Sequence, residues 1–219
     1  MTSHRVDLET DLRAIRAAGV AGLLFSVLLT VALVLMRLDP LGEFGDLTTG
    51  IVDVADSWLV ALYLVPFAGI AFLWFLAVLR RRIGRGEDQF FATVFLGSGF
   101  LYIAMLFAAD AAATAAVTAA RAGGAHATDP TFVFGRALAD ALFYVFAVKM
   151  GAVFMLVSSN IGRRRGFLPR WLIAFGIIGA LIMLLSVGFL EPLALLFPLW
   201  VVFVSILLLR AHPDSWDAG

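Results

Sequence analysis

Residues 17–36 read AAGVAGLLFSVLLTVALVLM, a run of apolar and small residues without a single charge. A helix needs about 20 apolar residues to cross the roughly 30 Å hydrocarbon core of a bilayer. Five further apolar stretches follow, at about 58–79, 90–115, 137–157, 171–190 and 192–209. They are continuously apolar and lack the alternation of barrel strands. The sequence therefore predicts an all-α fold, a polytopic transmembrane bundle of six helices.

The composition supports lipid as the solvent of this chain. Hydrophobic residues make up 62% and charged residues 15% of its 219 residues, against roughly 45–50% and about 25% in soluble domains. A soluble domain of this size could not bury so much apolar surface in one core. The lipid bilayer is thus the expected partner. A net charge of zero provides no field that would attract nucleic acid, which we exclude as a partner.

The arginines predict the orientation of the bundle. Three of them, Arg37, Arg121 and Arg136, belong to one side. The other side has twelve: Arg5, Arg13, Arg16, Arg80, Arg81, Arg82, Arg85, Arg163, Arg164, Arg165, Arg170 and Arg210. Basic residues accumulate in cytoplasmic loops, so both chain ends are predicted to be cytoplasmic.

Three regions follow from this topology. Residues 1–16 form an N-terminal cytoplasmic segment, in which Leu8, Leu12 and Ile15 have the spacing of a short amphipathic helix. Residues 17–210 form the transmembrane domain, and residues 211–219 form a cytoplasmic tail. The first span is read as retained, because its apolar run is longer than that of a signal peptide.

No set of reactive groups indicates an enzyme. The chain has no cysteine, which excludes thiolate metal sites and thiol redox chemistry. Its histidines, His4, His126 and His212, lie in a terminus or a loop, so haem ligation and a Ser–His intramembrane protease lack a partner within a span. HExxH and GxGD motifs are also missing. We predict no catalytic residue, no cofactor and no metal site.

Lys149 is the only lysine, and it lies inside the fourth predicted span. It precedes Arg163 by 14 residues, about 21 Å along a helix. A lysine stem is too short to reach water from there. Its ammonium therefore needs a carboxylate, backbone carbonyls or a wet cavity, and the residue belongs either to a substrate or proton path or to a structural contact between helices.

Asp110 in the third span is the second candidate. Tyr102, Thr114 and Thr118 lie eight, four and eight residues from it, which predicts one polar stripe. The surrounding residues are nearly all small, as in tightly packed membrane helices. Two interpretations of Asp110 are open. Its carboxylate is either satisfied within a contact between helices, or it binds a proton or a cation near the outer mouth.

Asp140 and Tyr144 are the remaining candidates. Asp140 follows Arg136 by four residues, and Tyr144 follows Asp140 by four. Arg136 and Asp140 can therefore pair on one helix face near the outer end. In a straight α-helix Asp140 and Lys149 would lie half a turn apart and would not face each other.

The segment Gly166-Phe167-Leu168-Pro169-Arg170-Trp171 precedes an apolar helix with Gly176 and Gly179, and the last helix contains a proline. With these features the last quarter of the chain resembles a group of uncharacterised bacterial six-helix integral membrane proteins. The resemblance implies six spans in a bacterial plasma membrane and brings no site residue.

Two functions from different classes are favoured, and a lipid-modifying enzyme ranks third because no motif supports it. The first is a multi-pass membrane protein without catalytic machinery, an accessory or interaction protein whose partners are other membrane proteins or a second copy of itself. The alternative is a small proton- or ion-coupled transporter that uses Asp110, Lys149 and Asp140.

Overall fold

The computed structural model describes residues 2–38, 51–83, 89–123, 130–186 and 191–210, and nearly all of them are helical. This confirms the all-α prediction. The elements are listed in chain order: α1 (Thr2–Leu38), α2 (Ile51–Ile83), α3 (Gln89–Gly123), α4 (Pro130–Asp140), a π-helical segment (Ala141–Ala147), α5 (Val148–Arg165), α6 (Arg170–Leu185), a 3₁₀ turn (Glu191–Leu195) and α7 (Leu196–Arg210).

Five helical stretches in the described part of the chain are long and apolar enough to cross a membrane. They are Arg16–Met36, Trp58–Arg80, Gln89–Ala122, Pro130–Arg165 and Pro192–Arg210. The sixth apolar helix, α6, has only 16 residues, which corresponds to a length of about 24 Å. Five stretches are thus able to span a membrane by length and composition, and α6 is shorter than each of them.

The observed helices do not end where the predicted apolar spans end. Residues 2–38 form one continuous helix, so the N-terminal segment and the first predicted span lie in the same helix. The fourth span lies in a helix that runs through Pro130–Arg165 and contains the π-helical segment. The fifth, predicted over 171–190, is helical only as far as Leu185, and residues 187–190 lie outside the described residues. So do residues 211–219, the predicted tail.

Arginine-bearing helix ends meet at one end of the bundle. The Arg80 guanidinium donates a hydrogen bond of 3.3 Å to Ala92 O, which joins the end of α2 to the start of α3. The Arg164 guanidinium lies 4.3 Å from the centre of the Phe91 ring, which joins the end of α5 to the same start. α2 and α5 therefore both run antiparallel to α3, as alternate crossings of a membrane require.

Aromatic side chains from five helices fill the centre of the bundle. Tyr102 of α3 lies 4.7 Å from Phe197 of α7 and 5.4 Å from Phe72 of α2, measured between ring centres. Phe25 of α1 and Phe154 of α5 complete the cluster around Phe72, at 4.8 and 5.4 Å. Rings at these distances attract each other beyond their apolar burial, so the cluster ties α1, α2, α3, α5 and α7 together.

Two glycines bring α1 close to α7. A Cβ atom on Gly19 would lie 2.9 Å from Ser205 O and 2.5 Å from Leu209 Cγ. A Cβ atom on Gly22 would collide with Ser205 Oγ and lie 2.7 Å from Phe75 Cδ2. Since small residues let helices approach closely in lipid, this contact depends on the absence of a side chain at both positions.

Candidate functional site

Lys149 lies in α5 and reaches across to the end of α6. Its Nζ atom donates to Met183 O at 2.6 Å, to Ser186 O at 2.7 Å and to Leu184 O at 3.0 Å. Ser186 Oγ lies 3.2 Å from the same nitrogen. Four oxygen atoms thus converge on one half-buried ammonium group, which carries three N–H donors.

The end of α6 explains why these oxygens are available. The last four carbonyls of an α-helix have no partner within the helix. The Ser186 amide donates to Ile182 O at 2.9 Å, and Ser186 Oγ donates to Met183 O at 2.9 Å. The backbone at Ser186 is extended, so the helix stops there. Lys149 supplies a donor for Leu184 O and for Ser186 O just beyond the helix, and its charge complements the negative end of the α6 dipole.

The depth of Lys149 matches the length of α6. From Arg170 to Leu185 the helix rises about 22 Å, and from Lys149 to Arg163 α5 rises about 21 Å. Both distances are shorter than the hydrocarbon core of about 30 Å. A helix end that lies within hydrocarbon needs a protein donor for its free carbonyls, because hydrocarbon offers no water.

These contacts limit which groups the Lys149 ammonium can still bind. The sequence left a carboxylate, backbone carbonyls or a wet cavity open as the environment of the Lys149 ammonium. In the structure this ammonium is surrounded by backbone carbonyls. Its three donors are committed to oxygens of residues 183–186, and no described ion pair joins it to Asp110 or Asp140. An ammonium held in this way has no N–H left for a substrate carboxylate or phosphate.

Asp110 is half-buried in α3, and its Oδ1 atom is buried without a hydrogen-bond partner among the described residues. Tyr102 of α3 lies beside Gly151 of α5. These two residues are therefore at the same height along the bundle axis. Asp110 is eight residues beyond Tyr102, and Lys149 is two residues before Gly151. Asp110 is therefore about 9 Å further along the bundle axis than Lys149, and the two groups form separate sites.

The predicted polar stripe of α3 does not form one site. Tyr102 is buried in the aromatic cluster, Asp110 and Thr114 are half-buried, and Thr118 is exposed. Tyr102, Asp110 and Thr118 follow each other at intervals of eight residues. Each interval rotates the side chain by about 80° around the helix axis and moves it about 12 Å along that axis. The stripe consequently runs from the core to the surface of the bundle.

Asp140 and Arg136 form the predicted pair, with 3.9 Å between Arg136 Nε and Asp140 Oδ2. Their side chains are 39% and 46% exposed for Arg136 and Asp140, so the pair contributes at most about 1 kcal/mol. The Arg136 guanidinium also lies 5.7 Å from the centre of the Trp58 ring. Tyr144 lies in the π-helical segment, with its ring 5.0 Å from that of Phe143.

The π-helical segment is the feature of this region that the sequence did not indicate. It separates Asp140 from Lys149, and the wider turn shifts the phase between them. The half-turn offset expected for a straight helix therefore does not apply. Such segments are frequent at functional sites, and this one begins beside Asp140.

Sequence reasoning also missed a set of buried polar groups on α5 and α7. Ser159 Oγ, Trp200 Nε1 and Ser205 Oγ are buried and have no hydrogen-bond partner among the described residues. Two of them meet at Gly176 of α6, where a Cβ atom would collide with Ser159 Oγ and lie 2.7 Å from Trp200 Nε1. By contrast, Ser26 donates to Gly22 O of its own helix at 2.8 Å.

Within the described ranges, no three His, Asp or Glu side chains come together as a metal site would require. Comparison of the chain with protein-family models, with curated proteins and with solved structures finds no match. Its function must therefore be argued from its own residues.

Proposed function

We propose that this chain is a six-span protein of a bacterial plasma membrane, with both ends in the cytoplasm, that acts without catalytic machinery through contacts within the bilayer. The contacts of Lys149 are the observation that supports this proposal most. The residue with the strongest claim to a transport role uses all its donors to close the end of α6. An accessory or interaction role requires no further reactive group.

The resemblance of the GFLPRW segment and the last two helices to bacterial six-helix membrane proteins agrees with this proposal. So do the long apolar helices and the arginine-bearing helix ends at one end of the bundle. In this topology α6 is a short crossing helix. The 3₁₀ turn Glu191–Leu195 begins the next crossing, which α7 completes.

Proton- or ion-coupled transport is the second candidate, and Asp110 is the observation that favours it. A carboxylate oxygen buried without a partner inside a membrane helix is costly. Such a group is retained where it binds a proton or a cation. Under this alternative Asp110 carries the site, with Asp140 near the outer end, while Lys149 holds the helices in place.

One flux experiment separates the two candidates. The protein is reconstituted into liposomes that contain a pH-sensitive dye for proton flux or a sodium-sensitive dye for sodium flux, and the dye signal is followed under an imposed gradient. Our proposal expects the rate of protein-free liposomes. It fails if the wild-type protein carries ions and Asp110→Asn abolishes this flux while Thr118→Val does not. Thr118 is the matched control, because it is an exposed polar residue two turns further along the same helix.

A further inference from the structure

Four oxygen atoms surround one point at the end of α6: Met183 O, Leu184 O, Ser186 O and Ser186 Oγ, which we call the α6 oxygen cluster. Their distances from Lys149 Nζ are between 2.6 and 3.2 Å. All four belong to a single stretch of chain that ends α6, and none belongs to α5. The cluster is therefore a property of the α6 end, into which α5 inserts a positive charge.

The chemistry of the cluster selects for a monovalent cation. Its oxygens are three carbonyls and one hydroxyl, all neutral, whereas divalent cations in proteins are bound largely by carboxylates. Carbonyl oxygens replace the hydration shell of potassium in channel filters. The C-terminal ends of interrupted helices coordinate sodium in transporters, where the helix dipole adds to the attraction.

We infer that the α6 oxygen cluster is a binding site for a monovalent cation, and that the Lys149 ammonium is its resident cation. Small primary ammonium ions and alkali cations bind there once the lysine side chain no longer fills it. This inference goes beyond the proposed function, in which Lys149 only joins two helices, and it stands whether or not the protein carries ions.

The side chain of Lys149 is what fills the cluster from the side of α5. Lys149 is half-buried. Its four-carbon stem occupies the route from α5 to the cluster. Lys149→Ala removes the stem and the charge together and leaves space for a small ion of the same chemistry.

The test compares two salts on the full-length Lys149→Ala variant in detergent. Methylammonium presents three N–H donors to the cluster, and tetramethylammonium presents none at the same charge. We expect methylammonium chloride to raise the unfolding midpoint of the variant saturably above its value in tetramethylammonium chloride, by about 2–4 °C at roughly five times the dissociation constant. The wild-type protein should have the same midpoint in both salts, because its site is filled.

Gly179→Ala provides the matched control. A Cβ atom at this position would lie 2.8 Å from Met155 Cε, so Met155 must shift at the contact between α5 and α6, while no residue of the cluster and no atom of Lys149 is altered. Its midpoint should not distinguish the two salts. Equal midpoints for Lys149→Ala in both salts overturn the inference, and so does an equal gain in Gly179→Ala.

If Lys149→Ala unfolds during purification, the comparison is repeated in the stabilised background Gly97→Ala, with each salt present from solubilisation onwards. Recovery of folded protein in methylammonium alone supports the inference. Equal recovery in both salts overturns it. Recovery in neither salt also overturns it, because an ion that fills the cluster would restore the contacts that were lost.

Discussion

Lys149→Met tests the structural role of the lysine directly. Methionine is unbranched and of similar length, so it keeps the packing of the stem while removing the charge and all three donors. Leu184 O and Ser186 O lose the hydrogen bonds that the structure describes, whereas Met183 O keeps the one from Ser186 Oγ. A buried acceptor without a partner costs about 1–3 kcal/mol. Leu184 and Ser186 are half-buried, so the loss of both hydrogen bonds lowers the free energy of unfolding by about 2–4 kcal/mol, the lower part of that range for two acceptors.

Thermal unfolding in detergent, followed by the helical circular dichroism signal, measures this loss. A destabilisation of about 4 kcal/mol lowers the midpoint by roughly 8–16 °C in a chain of this size. Lys149→Arg is the companion variant, since it keeps the charge but spreads its donors over a plane. We expect it to remain well below the wild type. A loss of less than about 1 kcal/mol in Lys149→Met would refute the argument from free carbonyls, and full stability of Lys149→Arg would show that charge alone suffices.

Two further predictions concern packing and topology. Gly22→Ala should lower the free energy of unfolding by about 1–3 kcal/mol, because the new methyl group meets Ser205 Oγ. Gly97→Ala should raise the free energy of unfolding by about 0.5–1 kcal/mol, since a Cβ atom there would have no neighbour within 4 Å. Chemical denaturation measures the free energy of unfolding of both variants. A more stable Gly22→Ala than Gly97→Ala would contradict the argument from packing. In this cysteine-free chain, an impermeant maleimide should label Ala122→Cys in intact cells and Arg163→Cys only after permeabilisation. Labelling of both in intact cells would contradict the proposed orientation.

The helices were predictable because lipid imposes a simple rule on the sequence. A span needs about 20 apolar residues without interruption, and such stretches are visible without any knowledge of packing. The 17–36 stretch lies within α1, and 58–79 lies within α2. The ends of helices were less predictable, because residues outside the apolar stretch remain helical. Hydropathy marks the part of a helix that contacts lipid and does not mark its last hydrogen bond.

The candidate sites were harder to predict because their geometry depends on neighbouring helices. The sequence singled out Lys149 and included backbone carbonyls among its partners, but it could not say which carbonyls. That depends on Ser186 ending α6 at the level where α5 carries the lysine. The Arg136–Asp140 pair was predictable, since four residues bring both side chains onto one face. That Asp110 Oδ1 has no hydrogen-bond partner among the described residues was not predictable, because this depends on the side chains that neighbouring helices place around it.

The identity of the residue at position 149 follows from the shape of the site it fills. Basic residues number 16 in this chain, and 15 of them are arginine, so a positive charge alone would not explain the single lysine. The oxygens at the end of α6 converge on one nitrogen, within 2.6–3.2 Å of it. A compact ammonium directs its three donors from a single point, whereas a guanidinium distributes five donors over a rigid plane. Lysine therefore matches the end of α6, because the oxygens of that end meet at a point.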